Sequence, residues 1–137
     1  MEGRMVGEHS GIARYTVGQR MGGLDGFSAR IYVREIDPRS NSIRVAERYR
    51  MFSTGVVCRE LNWLHPEPLS GRKRVSLLVR YIMEPIEGWI EPLGGGRVRV
   101  EFSEPIWTPA PGQSAVFYDG DIVLGGAVIE EIVWERE

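Results

Sequence analysis

Apolar and polar residues alternate along most of this chain with a period of two, not the three-to-four spacing of a helix. "RVRVEF" (97–102) puts Val98, Val100 and Phe102 on one side and Arg97, Arg99 and Glu101 on the other. Such patterning with β-branched residues marks a strand with one face in a core and the other in water. "KRVSLLVRYI" (73–82) repeats it, with Val75, Leu77, Val79 and Tyr81 inward. Further strands are predicted at 12–17, 30–36, 42–47, 54–61, 87–92, 114–119 and 121–134. No long helix is expected.

Turn signals part these strands at intervals of about ten residues, as an all-β barrel or sandwich requires. "DPRSN" (37–41) has proline at the second position of a turn, and "LGGGR" (93–97) supplies a glycine hairpin. "YDGD" (118–121) contains Asp-Gly, which suits a two-residue hairpin loop. Gly125 and Gly126 interrupt the last apolar run, where a bulge or bend would help a small barrel close. Three prolines in "EPIWTPAPGQ" (104–113) predict an extended loop. The expected fold class is all-β: a small antiparallel β-barrel, closed or partly open, with a short N-terminal β segment. The irregular stretch "GGLDGFSAR" (22–30) suggests a boundary, with residues 1–29 as the N-terminal segment and 30–137 as the barrel.

With 137 residues, 42% of them hydrophobic, one domain of ordinary size with a real core is expected. No apolar run approaches the roughly 20 residues of a membrane helix, and the first residues lack the apolar core of a signal peptide. A cytoplasmic location without membrane contact is expected. The single cysteine, Cys58, excludes an intrachain disulfide and a multi-cysteine zinc site. Its apolar surroundings, "STGVVCRELNWL", predict a small buried residue. His9 and His65 lie far apart, and neither has a partner at metal-ligand spacing. The chain has no phosphate loop and no Gly-x-Gly-x-x-Gly after a strand. No catalytic residue, metal ligand or cofactor is assigned to it.

The net charge of −2 hides a division. Residues 1–100 carry 16 basic and 11 acidic groups, whereas residues 101–137 carry one basic and eight acidic. All the basic residues but Lys73 are arginines, whose planar fork suits phosphates and stacks on bases. A nucleic-acid binder can have modest net charge if one face is basic. Arginines paired with glutamates on solvated strands would give the same composition, and charge alone leaves both readings open.

The richest stretch is "GEHSGIARYTVGQRMGG" (7–23). A strand at 12–17 would present Arg14 and Thr16 on one side. Gln19 and Arg20 can hydrogen-bond base edges or phosphates, and Tyr15 can stack on an unpaired base. The same residues admit a structural role, with Tyr15 in the core, Gln19 capping a turn and Arg20 solvated.

This stretch resembles a motif of the tRNA-specific 2-thiouridylases, roughly Gly-Glu-His-x-Gly-x-x-x-Tyr-Thr-x-Gly-Gln-Arg-Lys-Gly. "PGQSAVFYDGDIVLGGAVIE" (111–130) is similar to the C-terminal barrel of that family, and "IYVREIDPRSNSIRVA" (31–46) and "LNWL" (61–64) to shorter elements between. The resemblance covers almost the whole chain, in the family's order. It implies an elongation-factor-like barrel, preceded by the end of the central domain, that helps grip tRNA during 2-thiolation of the wobble uridine. The family's ATP-pyrophosphatase domain, with its Ser-Gly-Gly-x-Asp-Ser loop and catalytic cysteines, has no counterpart in these residues, and Cys58 falls in a barrel strand. ATP is therefore expected only of the ATP-pyrophosphatase (PP-loop) domain, whether that is a separately encoded subunit or another part of a longer chain.

The positions that match the opening motif are Gly7, His9, Gly11, Tyr15, Thr16, Gly18, Gln19 and Arg20. By resemblance they belong to a tRNA-facing region. The RNA-binding candidates are His9, Arg14, Tyr15, Thr16, Gln19 and Arg20, joined by Arg72, Lys73 and Arg74. Gln113 and Tyr118 match the barrel motif, with a structural role expected. Met21 stands where the family has lysine, which removes a phosphate-seeking charge, and "TPAPGQ" carries an extra Pro-Ala step. The competing function is a protein-interaction or assembly barrel without RNA binding, its acidic end docking on a basic partner.

Overall fold

The computed structural model describes residues 4–5, 16–21, 31–79 and 84–136. These form two antiparallel sheets. The smaller contains β1 (Arg4–Met5), β2 (Arg20–Met21), β3 (Ile31–Asp37) and β4 (Ser42–Glu47), in the order β1-β4-β3-β2. A single 3-10 turn, Arg48–Arg50, leads into the larger sheet. There, β5 (Phe52–Trp63), β6 (Lys73–Leu78), β7 (Ile86–Gly94), β8 (Arg97–Trp107), β9 (Ser114–Asp119) and β10 (Ile122–Trp134) follow. They close into a barrel in the order β10-β5-β8-β7-β6-β9. The all-β expectation holds, and the barrel is closed.

Alternation builds the barrel core. Val98, Val100 and Phe102 of β8, and Val75 and Leu77 of β6, are buried with Val56, Ile90, Phe117 and Ile129. Their neighbours one position away face outward. The hairpins at Gly95–Gly96 and Gly120–Asp121 fall where the glycine signals place them. Register shifts on either side of Gly125 and Gly126 supply the expected bend in β10.

Three expectations need correction. β3 and β4 pair with each other and with β1 and β2, so the sheets divide between Glu47 and Phe52, not at 29–30. Ile31, Tyr32, Val33 and Arg34 are buried in succession. A strand covered on both faces reads like a barrel strand and hides that division. The loop predicted at 104–113 is strand as far as Trp107. Pro105 lies between the Gly55↔Glu101 and Ser53↔Ile106 pairs, where the ladder is interrupted and needs no N–H from it. Thr16 and Val17, the last residues of the strand predicted at 12–17, belong to a turn. Residues 12–15, and Tyr81, lie outside the described residues.

Candidate nucleic-acid interface

The small sheet meets the barrel at the ends of β8 and β10, each finished by a tryptophan. Tyr32 and Arg34, on one face of β3, meet these in turn. The Tyr32 ring sits edge-on to Trp107 with centroids 4.8 Å apart, and the Arg34 guanidinium lies 4.2 Å from the centre of the Trp134 ring. Phe52 packs edge-on against Trp107 at 5.8 Å. Backbone bonds bind the same end, where the Thr108 N–H donates to Met51 O (2.9 Å) and the Glu135 N–H to Phe52 O (3.0 Å). Met51 is fully buried beneath Tyr32 and Ala46.

Two turns of identical construction flank this seam. In residues 16–19 the Gln19 N–H donates to Thr16 O (2.9 Å), and the Thr16 N–H donates back to Gln19 Oε1 (3.0 Å). In residues 110–113 the Gln113 N–H donates to Ala110 O (3.2 Å), and the Ala110 N–H to Gln113 Oε1 (2.8 Å). Each has glycine third, Gly18 and Gly112, with φ of 92°. That left-handed conformation is what a type II turn requires at this position. Each clips a strand: Gly18 N–H to Val33 O and Val33 N–H to Gln19 O, then Gly112 N–H to Ile129 O and Ile129 N–H to Gln113 O, all within 2.7–2.8 Å. Thr16, Val17, Ala110 and Pro111 line a common cleft of about 590 Å³ floored by Arg34 and Trp134. Gln113 thus has the structural role expected of it. Gln19 makes the same bonds, which commits its carbonyl oxygen to the turn.

Arg20 leaves the first turn opposite Tyr32 in the β2–β3 ladder, so the two side chains share a face. Arg48 lies over Trp107 at 5.9 Å. Both arginines are exposed, and neither makes an ion pair among the described residues. The barrel wall differs. Arg59 pairs with Glu60 (3.0 Å), Arg72 with Glu101 (3.2 Å), Arg74 with Glu87 (3.5 Å), Arg97 with Glu130 (2.8 Å) and Arg99 with Glu91 (4.0 Å). Arg72 and Arg74 also bracket Trp89, at 5.0 and 5.5 Å from its ring centre.

Of the candidate residues, Thr16, Gln19 and Arg20 therefore come together at the seam. Arg72, Lys73 and Arg74 sit on a different barrel wall, two of them neutralised by glutamates; Lys73 has no ion pair among the described residues. His9, Arg14 and Tyr15 lie outside the described residues. The sequence pattern alone does not single out Tyr32, Arg48 or Trp107. The available cue is "RYR" (48–50), a basic-aromatic-basic triplet between two strands.

Cys58 faces the barrel core and is fully buried. Burial, with a smaller contribution from the Glu130 charge, pushes its thiol up to about 12. Among the described residues no group of three or more histidine, cysteine or acidic side chains could hold a metal ion, and no helix is long and apolar enough to cross a membrane.

Comparison with known proteins accords with this two-part architecture. Residues 53–129 match the aminomethyltransferase beta-barrel domain, and residues 1–47 the tRNA methyl transferase PRC-barrel domain. The tRNA-specific 2-thiouridylase MnmA of Clostridium perfringens is 35% identical over 131 residues, covering 96% of this chain and 36% of the relative. That of Desulforamulus reducens is 37% identical over 136 residues, covering 99% and 37%. That of Serratia proteamaculans is 38% identical over 143 residues, covering 98% and 39%. The chain spans a little over a third of the length of these relatives. With both matched domains in place and near-complete coverage of its own length, the chain belongs to the tRNA-specific 2-thiouridylase family and corresponds to its C-terminal, barrel-bearing part.

Proposed function

We propose that this chain is a tRNA-binding module serving 2-thiolation of tRNA, and that it grips RNA at the seam between its two sheets. The observation that carries the reading is the contrast in arginine pairing. Arg20 and Arg48 stand exposed beside Tyr32 and Trp107 without ion pairs among the described residues, while glutamates neutralise the barrel wall. An RNA phosphate arriving at the seam displaces only counterions and water. At the wall it would also have to break an arginine–glutamate pair. Gln19 acts here by setting the turn from which Arg20 projects, with Thr16 as its partner. The module uses no cofactor of its own. ATP-dependent activation of the uridine belongs to an ATP-pyrophosphatase (PP-loop) partner.

Filter binding of tRNA to the 137-residue chain tests this. Affinity should fall steeply with salt as counterions are released. Arg20→Ala should weaken binding by about 3- to 10-fold at low salt, as expected when one phosphate partner is removed. Salt-independent binding, no binding, or an unchanged Arg20→Ala variant would overturn the reading.

A second reading, assembly with the PP-loop subunit, is favoured by one observation at the other end of the barrel. There Leu64 (59% exposed) meets the start of β10, where Ile122 (61%) and Val123 are also exposed. Ile122→Glu should then abolish co-purification with that subunit and leave tRNA affinity intact.

A further inference from the structure

We infer that the end of the barrel away from the small sheet docks an amphipathic helix of a partner protein, apolar on one face and basic along its flanks; this deepens the assembly reading and makes no use of RNA binding. The small sheet covers one end of the barrel, and the chain itself closes the other. β5 and β6 stand three places apart in the ring, so residues 64–72, which join them, run across that end. Leu69 packs on the core beneath. Leu64 is exposed, as are Leu93, Ile122 and Val123 at the neighbouring strand ends. Four of the six large hydrophobic side chains exposed among the described residues thus share this one end. Single exposed apolar residues are ordinary, whereas a grouped set marks a binding surface.

The surface is fixed before any partner arrives. The Leu64 N–H donates to Leu124 O (2.8 Å), which ties the loop to β10, and the Leu61 N–H donates to Gly96 O (2.9 Å), which ties the β7–β8 hairpin to β5. Within the loop, Trp63 Nε1 donates to Glu67 O (2.7 Å), and the Glu67 N–H donates to His65 Nδ1 (3.1 Å). A preset surface loses little conformational freedom on binding.

Charge and backbone chemistry choose the occupant. Asp119 and Asp121 in the β9–β10 turn, and Glu67 in the loop, are exposed and make no ion pair among the described residues. Against them stands the half-buried Lys73; Arg72 and Arg97 are matched by Glu101 and Glu130. An RNA, or the same acid-rimmed end of a second copy, is repelled here, whereas lysines or arginines beside an apolar face are attracted. The closed ring offers no strand edge at this end, so an extended peptide would leave its backbone unpaired against apolar side chains. A helix brings its backbone hydrogen bonds with it. Strands about 4.8 Å apart and tilted by about 40° make a ring of this number roughly 22 Å across with its side chains, the length of about 14 helical residues.

Two amphipathic peptides of about 14 residues with the same apolar face, one of leucine and lysine and one of leucine and glutamate, test this on the full chain. The leucine–lysine peptide should bind one-to-one, and the leucine–glutamate peptide at least about tenfold more weakly. Leu64→Ser with Ile122→Ser should weaken the leucine–lysine peptide about tenfold. Val133→Ser, which changes an exposed valine away from this end, should leave it unchanged. Asp119→Asn with Asp121→Asn should narrow the difference between the peptides. All these positions are exposed, so folding is not at issue. Failure of both peptides to bind, equal binding of the two, or a leucine–lysine affinity that Leu64→Ser with Ile122→Ser leaves unchanged would overturn the inference. So would a dimer of the chain that the same double variant disrupts, which would give the surface to a second copy. If neither peptide binds while Ile122→Glu still abolishes co-purification with the PP-loop subunit, the helix is refuted and assembly at this end stands.

Discussion

At Cys58 burial decides the chemistry. A thiolate is the reactive form, and the barrel core opposes it, holding the thiol near 12 against an ordinary 9.0. The sign of the pH dependence follows. Below pH 9 both folded and unfolded chains keep the proton. Above it the unfolded chain releases the proton first, so stability is lost between about 9 and 12. Denaturant midpoints should therefore fall between about pH 8 and 10.5, and fall less in Cys58→Ala, where this contribution is gone. At about pH 8 a thiol reagent should label the chain only as it unfolds; rapid, stoichiometric labelling of the native protein would contradict the burial. This residue was legible from its apolar neighbours. Gln19 was not, because a glutamine after glycine can cap a turn or read a base, and only the backbone geometry chooses. The repetition of Gly-Gln at 18–19 and 112–113 is the one sequence cue that the two glutamines do the same work.

Strands in a small barrel must bend, and the bends have specific residues. β5 bends near its start, where the Ser53 hydroxyl lies within hydrogen-bonding distance of the carbonyls of Gly55 (2.7 Å) and Val133 (2.8 Å) and shares its one proton between groups the interrupted ladder leaves open. Gly55 follows because β8 passes too close for a side chain: a Cβ there would overlap Val100 O. Gly55→Ala should destabilise the fold by about 1–3 kcal/mol, the usual range for overpacking. Gly71→Ala, where a Cβ meets nothing within 4 Å, should stay within about 0.5 kcal/mol. Equilibrium denaturation checks the pair, and equal effects would refute the close approach. The strands and hairpins were legible because alternation and turn glycines are local signals. The division at 47–52 and the extension of β8 past Pro105 were not. Both depend on which strand lies next to which, and so on pairings distant in sequence.

Across the whole molecule, the placement of charge matters more than its amount. The chain's basic excess before residue 100 suggests many phosphate contacts, yet the barrel wall returns most of its arginines to glutamates. Exposed pairs of this kind contribute little to stability, about 0–1 kcal/mol each. Their consequence for binding is larger, since a paired arginine contributes no net charge to the surface around it. The salt slope of tRNA binding should therefore follow the seam and ignore the wall. Replacing the wall pair together, Arg72→Gln with Glu101→Gln, keeps the net charge and should leave the slope unchanged. Replacing Arg20→Gln with Arg48→Gln removes two cations that make no ion pair among the described residues and should flatten the slope by about 1.8, or roughly 0.9 for each phosphate no longer neutralised. Filter binding at about 50–200 mM salt separates the cases. If the wall pair sets the slope and the seam pair does not, the RNA lies along the barrel and the seam is only a joint between two sheets.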